Sequence, residues 1–185
     1  ALLLSMLDYA KSTNTAVVIS TTGISDEQIK VVEEISKEIP IFFSYNMSMG
    51  VSLLCELAKT AAKVLGSDFD IEIVEAHHNQ KLDAPSGTAL MLADAIKEEL
   101  PDVYYEYDRH SKRQKRNEKE IGIHSIRGGN IVGEHEVIFA GNDEIVKLSH
   151  SARSRAIFAQ GAVNAANFLN GKTPRIYSMK DLVNS

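Results

Sequence analysis

The sequence predicts an α/β protein in two parts: an incomplete Rossmann-like sheet, and an α+β domain built on a mostly antiparallel mixed sheet. Three observations carry this expectation. Residues 1–45 run in the order helix, strand, helix, strand; residues 70–151 hold four apolar strand-like runs; and an Ala-rich helix within 154–172 returns the chain to its first part. The expected domains are 1–47 with 156–185, and 48–155.

Composition sets the class. Hydrophobic residues make up 44% and charged residues 24% of the 185, the usage of an ordinary folded chain rather than a disordered one. The single Cys55 rules out an internal disulfide and a zinc-finger grid, as in a reducing compartment. A net charge of −5 argues against a nucleic-acid partner held by phosphate neutralisation. No apolar run approaches the roughly 20 residues of a membrane span, and the opening ALLLSML lacks the basic flank of a signal peptide. The sequence reads as cytoplasmic.

Each element has its own signal. ALLLSMLDYAKSTN suits a helix with Leu3, Leu4 and Leu7 on one face; no cap precedes it, so a start inside a domain is expected. AVVISTTG is a β-branched run ending at Gly23, the profile of a buried parallel strand. Ser25 and Gln28 have capping-box spacing, and Ile29, Val32, Ile35 and Ile39 form a helical stripe that Pro40 ends. IPIFFSY is a second buried strand. In doubly wound sheets ligands sit beyond the C-terminal strand ends, which here are STTG and SYNM.

Residues 48–65 predict a helix stopped by Gly66, with Leu54, Leu57, Ala58, Ala61 and Leu65 on one face. DIEIVEAHH follows as a strand and PSGTALMLADAIKEEL as a helix. Asp108 to Glu120 contain no apolar residue, so the basic KRQKR run reads as a solvated loop, with steering of a dianionic ligand as its further use. IGIHSIRG, NIVGEHEVIFA and DEIVKLSHS are three strands separated by Gly-Gly-Asn and Gly-Asn-Asp turns, which predict antiparallel hairpins. In the middle one, His135, Val137 and Phe139 share a face.

The chemistry concentrates in EAHHNQKLDAPSGTA, residues 75–89. His77 and His78 end a strand and point to opposite faces, so one of them faces a cleft. With Lys81 nearby, a histidine and a lysine can place and deliver protons near neutral pH. Pro85 biases Ala84 toward an extended conformation, and Ser86 is a natural N-cap. Gly87, the first-turn N–H groups and the Thr88 hydroxyl then make an anion site that suits a carboxylate. Two other readings stay open from the residues alone. One is a turn and cap with no ligand; the other is a metal pair, for which no i, i+4 histidine pair or acidic partner at zincin spacing is present. His110 and His124 read as surface or structural groups, and His150 lies just before Arg153 and Arg155.

EAHHNQKLDAPSGTA resembles the signature of the dihydrodipicolinate reductase family of lysine and diaminopimelate biosynthesis. STTG (20–23), SYNMSMGV (44–51), RGGNIVGEHEVIFAG (127–141) and SHSARSRAIFAQGA (149–162) support the resemblance in the family's order. It implies a homotetramer that reduces 4-hydroxy-tetrahydrodipicolinate, a cyclic dicarboxylate, with NADH or NADPH. It implies His77 as proton donor or acceptor, Lys81 as second proton donor, His78 in contact with substrate, and Gly87 with Thr88 on a carboxylate. Ser20, Thr21 and Thr22 would line the nicotinamide and its ribose. Ser44, Tyr45, Asn46 and Met47 would hold the other side of the cofactor, and Arg155 would lie near the cofactor and substrate. No metal is implied. The family pattern opens with a GxGxxG phosphate turn that residues 1–185 lack, so the resemblance predicts weak or no dinucleotide binding by these residues alone. The competing expectations are a non-catalytic dicarboxylate-binding or oligomerisation module, and a metal-dependent hydrolase using the two histidines.

Overall fold

A computed structural model describes residues 2–21 and 23–185, the Ser67 side chain apart. In chain order the elements are α1 (Leu2–Ser12), β1 (Val17–Ile19), α2 (Asp26–Ile35), β2 (Ile41–Phe43), α3 (Met49–Leu65), β3 (Asp70–His77), α4 (Gly87–Lys97), β4 (Tyr104–Glu106), β5 (Glu120–Arg127), β6 (Gly133–Ala140), β7 (Ile145–Ala152), α5 (Ala156–Phe168), β8 (Ile176–Tyr177) and α6 (Met179–Val183). They form two compact units, residues 1–52 with 156–185 and residues 53–155.

The first unit is a parallel sheet of order β1-β2-β8, with Val17 opposite Ile41 and Ile41 opposite Ile176. Successive strand residues point to opposite faces, and Ile41 and Phe42 accordingly enter two different cores. Ile41 packs with Leu7, Ala10, Ile19, Val32 and Ile35, while Phe42 packs with Met47, Ala165, Leu169 and Tyr177. Helices therefore cover both faces, as in a doubly wound sheet. The capping box at Ser25 and Gln28 is formed. The helix it starts ends at Ile35 rather than running to Pro40: Lys37 and Glu38 donate to the carbonyls of Glu34 and Ile35, a tightened last turn that swings Ile39 into the core. Leu4 is exposed, because Leu7 and Ala10 alone define the buried stripe of α1.

The second unit is a mixed sheet of order β4-β5-β3-β6-β7. Strand β3 lies at its centre, parallel to β5 and antiparallel to β6. The expected hairpin between the strands now labelled β5 and β6 is not formed; β3 separates them. The Gly-Gly-Asn turn clamps β3 instead of closing on itself: Gly128 N–H donates to the His77 carbonyl (2.9 Å), and Asn79 N–H donates to the carbonyl of Gly129 (3.2 Å), which takes φ +49°. Among the described residues only β6 and β7 form a hairpin, closed by Gly141 N–H on the Glu144 carbonyl.

The inner face of this sheet is laid down in rows across the strands. Ile121, Ile71, Phe139 and Val146 form one row, and Ile123, Ile73, Val137 and Leu148 the next. Leu54, Ala58 and Ala62 of α3 and Ala89, Leu92, Ala93 and Ile96 of α4 close over them. Leu57 is exposed: the α3 stripe repeats every four residues through small alanines, and Leu57 sits about 100° around the helix from Ala58. The basic segment is a loop, but an anchored one. Arg109 pairs with Glu120, Lys112 with Glu106, and Arg116 with Asp70 and Glu72. Among the described residues no helix is long and apolar enough to cross a membrane.

Candidate active site

The inner face of the five-stranded sheet turns from apolar to polar at its third row, formed by Ser125, Glu75, His135 and His150. A carboxylate buried there needs partners for every oxygen, since an uncompensated charge costs several kcal/mol. Glu75 has no exposed side-chain surface and is fully engaged. Its Oε1 accepts from Arg127 Nη2 (2.7 Å) and from the backbone N–H of Ser86 (3.1 Å). Its Oε2 accepts from Arg127 Nη1 (2.9 Å) and lies 2.6 Å from His77 Nδ1. Burial pushes the carboxyl up, but hydrogen bonds from Arg127, Ser125 and His77 outweigh it and hold the group at about 2.

His77 is two residues further along β3 and so on the same face. Its side chain is 12% exposed. With Nδ1 on Glu75, the outer nitrogen is Nε2, and a Cβ added to Gly133 would stand 3.2 Å from it. His135 packs edge-on against His77 at 5.2 Å between ring centroids, with its Nε2 2.9 Å from Ser86 Oγ. Burial, aided by the charge of His77, lowers His135 to about 4, so it is neutral at ordinary pH.

Ser86 caps α4, its Oγ accepting from Ala89 N–H at 3.2 Å. Gly87 is exposed, with open space where a Cβ would stand, and Thr88 is half-buried beside it. The positive end of α4 is thus presented to an approaching anion. In the loop before it, Lys81 Nζ donates to Asp83 Oδ1 (2.8 Å), and Arg127 Nη2 donates to the Asp83 carbonyl (2.8 Å). The hydrogen bond from Lys81 lowers the Asp83 carboxyl. His78 Nε2 is 3.5 Å from Arg155 Nη2, at the limit of a hydrogen bond. His77, Lys81, His78, Gly87, Thr88 and Arg155 all belong to the second unit.

The remaining candidates belong to the first unit. Ser20, Tyr45, Asn46 and Met47 line a cleft of about 360 Å³ beyond the C-terminal ends of β1 and β2, together with Phe158, Ala159 and Ala162. Ser44 Oγ donates to the Asn46 carbonyl (2.8 Å) and Asn46 Oδ1 accepts from Ser48 N–H (2.8 Å), which fixes the turn into α3. The Met47 side chain is buried in the core. Thr21 is exposed beside Ser20, and Thr22 lies outside the described residues.

Sequence reading assigned no role to Glu75, Arg127 or Gly133. A signal for the first exists: Glu75 continues the stripe Ile71, Ile73 at strand period and leads to His77, so it is a charge on a core-facing position. Nothing local points to Arg127. Among the described residues there is no cluster of three or more His, Cys, Asp or Glu side chains suited to a metal.

Residues 50–183 match the family described as "Dihydrodipicolinate reductase, C-terminus", and residues 1–47 match "Dihydrodipicolinate reductase, N-terminus". The chain belongs to the dihydrodipicolinate reductase family. It is 61% identical over 168 residues to 4-hydroxy-tetrahydrodipicolinate reductase of Caldanaerobacter subterraneus subsp. tengcongensis, over 90% of this chain and 66% of that protein. It is 49% identical to the same-named enzyme of Clostridium novyi, over 98% of this chain and 72% of that one. The chain thus spans about two thirds to three quarters of these relatives. Among solved structures, a dipicolinate-bound dihydrodipicolinate reductase from Paenisporosarcina sp. TG-14 superposes with a TM-score of 0.77 at 28% identity, over 98% of this chain and 69% of that one. The α/β fold expected from the sequence is the fold of this reductase family.

Proposed function

We propose that this chain acts in the reduction of 4-hydroxy-tetrahydrodipicolinate to tetrahydrodipicolinate with NADH or NADPH, in lysine and diaminopimelate biosynthesis. Family membership supports the reaction. The observation that carries it to particular atoms is the shared anchoring of His77 and of the α4 N-terminus on Glu75. A proton-exchanging nitrogen and a seat for a carboxylate are thereby held by one buried group.

The cleft lined by Ser20, Tyr45, Asn46 and Met47 fits the nicotinamide end of a dinucleotide: it lies beyond parallel strand ends and has the volume of a small-ligand pocket. When bound, the cofactor supplies the hydride. The chain's own groups do the rest. Gly87 and Thr88 at the start of α4 seat one substrate carboxylate, and His78 and Arg155 offer a cationic contact. Lys81, once substrate displaces Asp83 from it, protonates the 4-hydroxyl, which leaves as water while His77 Nε2 takes the adjacent ring C–H proton, and His77 returns that proton to the reduced ring. We infer assembly as a homotetramer through the outer face of the five-stranded sheet, where Ile126 and Ile145 are exposed.

The test is titration of the chain, joined to an N-terminal segment that carries the GxGxxG turn, with dipicolinate and with each nicotinamide cofactor, followed by NAD(P)H oxidation in the presence of substrate. His77→Gln and Lys81→Ala each lower kcat by a factor on the order of 100 or more while dipicolinate still binds, and Thr88→Val weakens dipicolinate binding. Dipicolinate binding with no oxidation of either cofactor would instead establish a non-catalytic dicarboxylate-binding module.

A further inference from the structure

We propose that Glu75 is a positioning residue that fixes His77 as its Nδ1–H tautomer, so that Nε2 is the only atom of that ring through which a proton is exchanged. The assignment rests on the reductase reading only for what becomes of that proton.

Donors and acceptors around Glu75 have to match. An ionised carboxylate only accepts, and a guanidinium only donates. Oε2 of Glu75 receives Arg127 Nη1 at 2.9 Å and faces His77 Nδ1 at 2.6 Å. Arg127 also donates to Oε1 and so keeps the carboxyl ionised by geometry. Nδ1 of His77 therefore has to be the donor, whether the ring is neutral or charged. The neutral ring then carries its lone pair on Nε2, and the charged ring carries its transferable proton there.

Two further features keep Nε2 open to a ligand. Gly133 has no Cβ, which would stand 3.2 Å from Nε2. The neighbouring imidazole of His135 is turned to Ser86, not to His77, with its Nε2 on the serine hydroxyl. The same carboxylate accepts the Ser86 N–H, and Arg127 also holds the Asp83 carbonyl. One ion pair thus sets the direction of the proton and the start of the helix that seats the carboxylate.

Glu75→Gln separates this role from mere packing. Two donors that cannot reverse, Arg127 Nη2 and Ser86 N–H, converge on the Oε1 position and one, Arg127 Nη1, on Oε2, so the amide oxygen settles at Oε1 and the amide NH2 takes the Oε2 position, turning Arg127 Nη1 away. It then donates to His77 Nδ1, and the tautomer reverses to Nε2–H.

Long-range proton–nitrogen NMR on histidine-labelled chain, with His77 assigned by its loss in His77→Gln, reads the tautomer directly. The expected result is Nδ1–H in the wild-type chain and Nε2–H in Glu75→Gln, with kcat of the variant lowered on the order of 100-fold and KM within about threefold. Glu75→Asp keeps the pair with Arg127 but draws back from His77 by one methylene. It is expected to give a mixture of tautomers, and it serves where the Gln variant does not fold. A wild-type neutral His77 protonated on Nε2, or a folded Gln variant that keeps Nδ1–H, overturns the proposal. The expected tautomers together with a wild-type chain that, joined to a GxGxxG-bearing N-terminal segment, is inactive toward substrate overturn the reductase reading and leave the role of Glu75 standing.

Discussion

Glu75 and His135 sit side by side in one row of the sheet and are buried in opposite charge states, the first ionised by Arg127 and the second kept neutral by desolvation. Each links stability to pH in its own window. His135 has a folded pKa of about 4 against 6.5 unfolded, so the unfolded chain takes up the proton first as pH falls. Stability is whole above about pH 6.5 and is lost on the way down to about 4, by about 3 kcal/mol in all. Glu75, at about 2 against 4.5, adds a second loss that begins near pH 4.5 and continues toward 2. Urea unfolding at a series of pH values should show both steps, and His135→Gln should flatten the upper one while leaving the lower. A midpoint that holds constant between pH 6.5 and 4.5 would contradict the buried neutral histidine. At this scale the sequence was readable wherever chemistry is local. The cap at Ser86 and the opening at Gly87 follow from neighbours in the chain, whereas Arg127 reaches Glu75 across 52 residues and only strand order brings them together.

Among the elements, α5 is the most tightly fitted. A Cβ at Gly161 would overlap the Met47 carbonyl oxygen, and Met47 O belongs to the backbone of the turn between β2 and α3. Gly161→Ala would gain helix propensity of about 1 kcal/mol but must push the helix off that turn, a backbone clash costing more than this gain. The expected outcome is a net destabilisation of about 1–2 kcal/mol in thermal or chemical unfolding, with weakened cofactor binding because Tyr45, Asn46 and Met47 line the adjoining cleft. A more stable variant with cofactor affinity intact would show that the turn yields without cost. Elements with a strong period were legible: the capping box of α2, the stop of α3 at Gly66, and the alternation of β6 all stand where the residues put them. The short edge strands β4 and β8 were not, because three and two residues carry no period and exist through pairing with β5 and β2. The β5–β6 turn misled for a related reason: Gly-Gly-Asn specifies a reversal, not which strand fills the space beside it.

For the whole molecule, the proposed assembly rests on the outer face of the five-stranded sheet. Val74, Ala76 and Ile126 border a hollow of about 340 Å³ there, ringed by Glu134, Glu136, Ser149 and Ser151. An apolar centre with a polar rim is the anatomy of an interface. Light scattering should give a tetramer, and Ile126→Lys should dissociate it without unfolding the subunit; a monomeric wild-type chain would refute the assembly. The central place of β3 has a further consequence, for the order in which the molecule is made. Its register partners lie far downstream, Ile71 meeting Ile121 on one edge and Phe139 on the other. A nascent chain therefore emerges with the strand that bears Glu75 and His77 unpaired on both sides, and more than sixty residues of translation must pass before β6 seats it. Closing so long a loop slows the pairing, and until then the strand has two unpaired edges open to association with other chains.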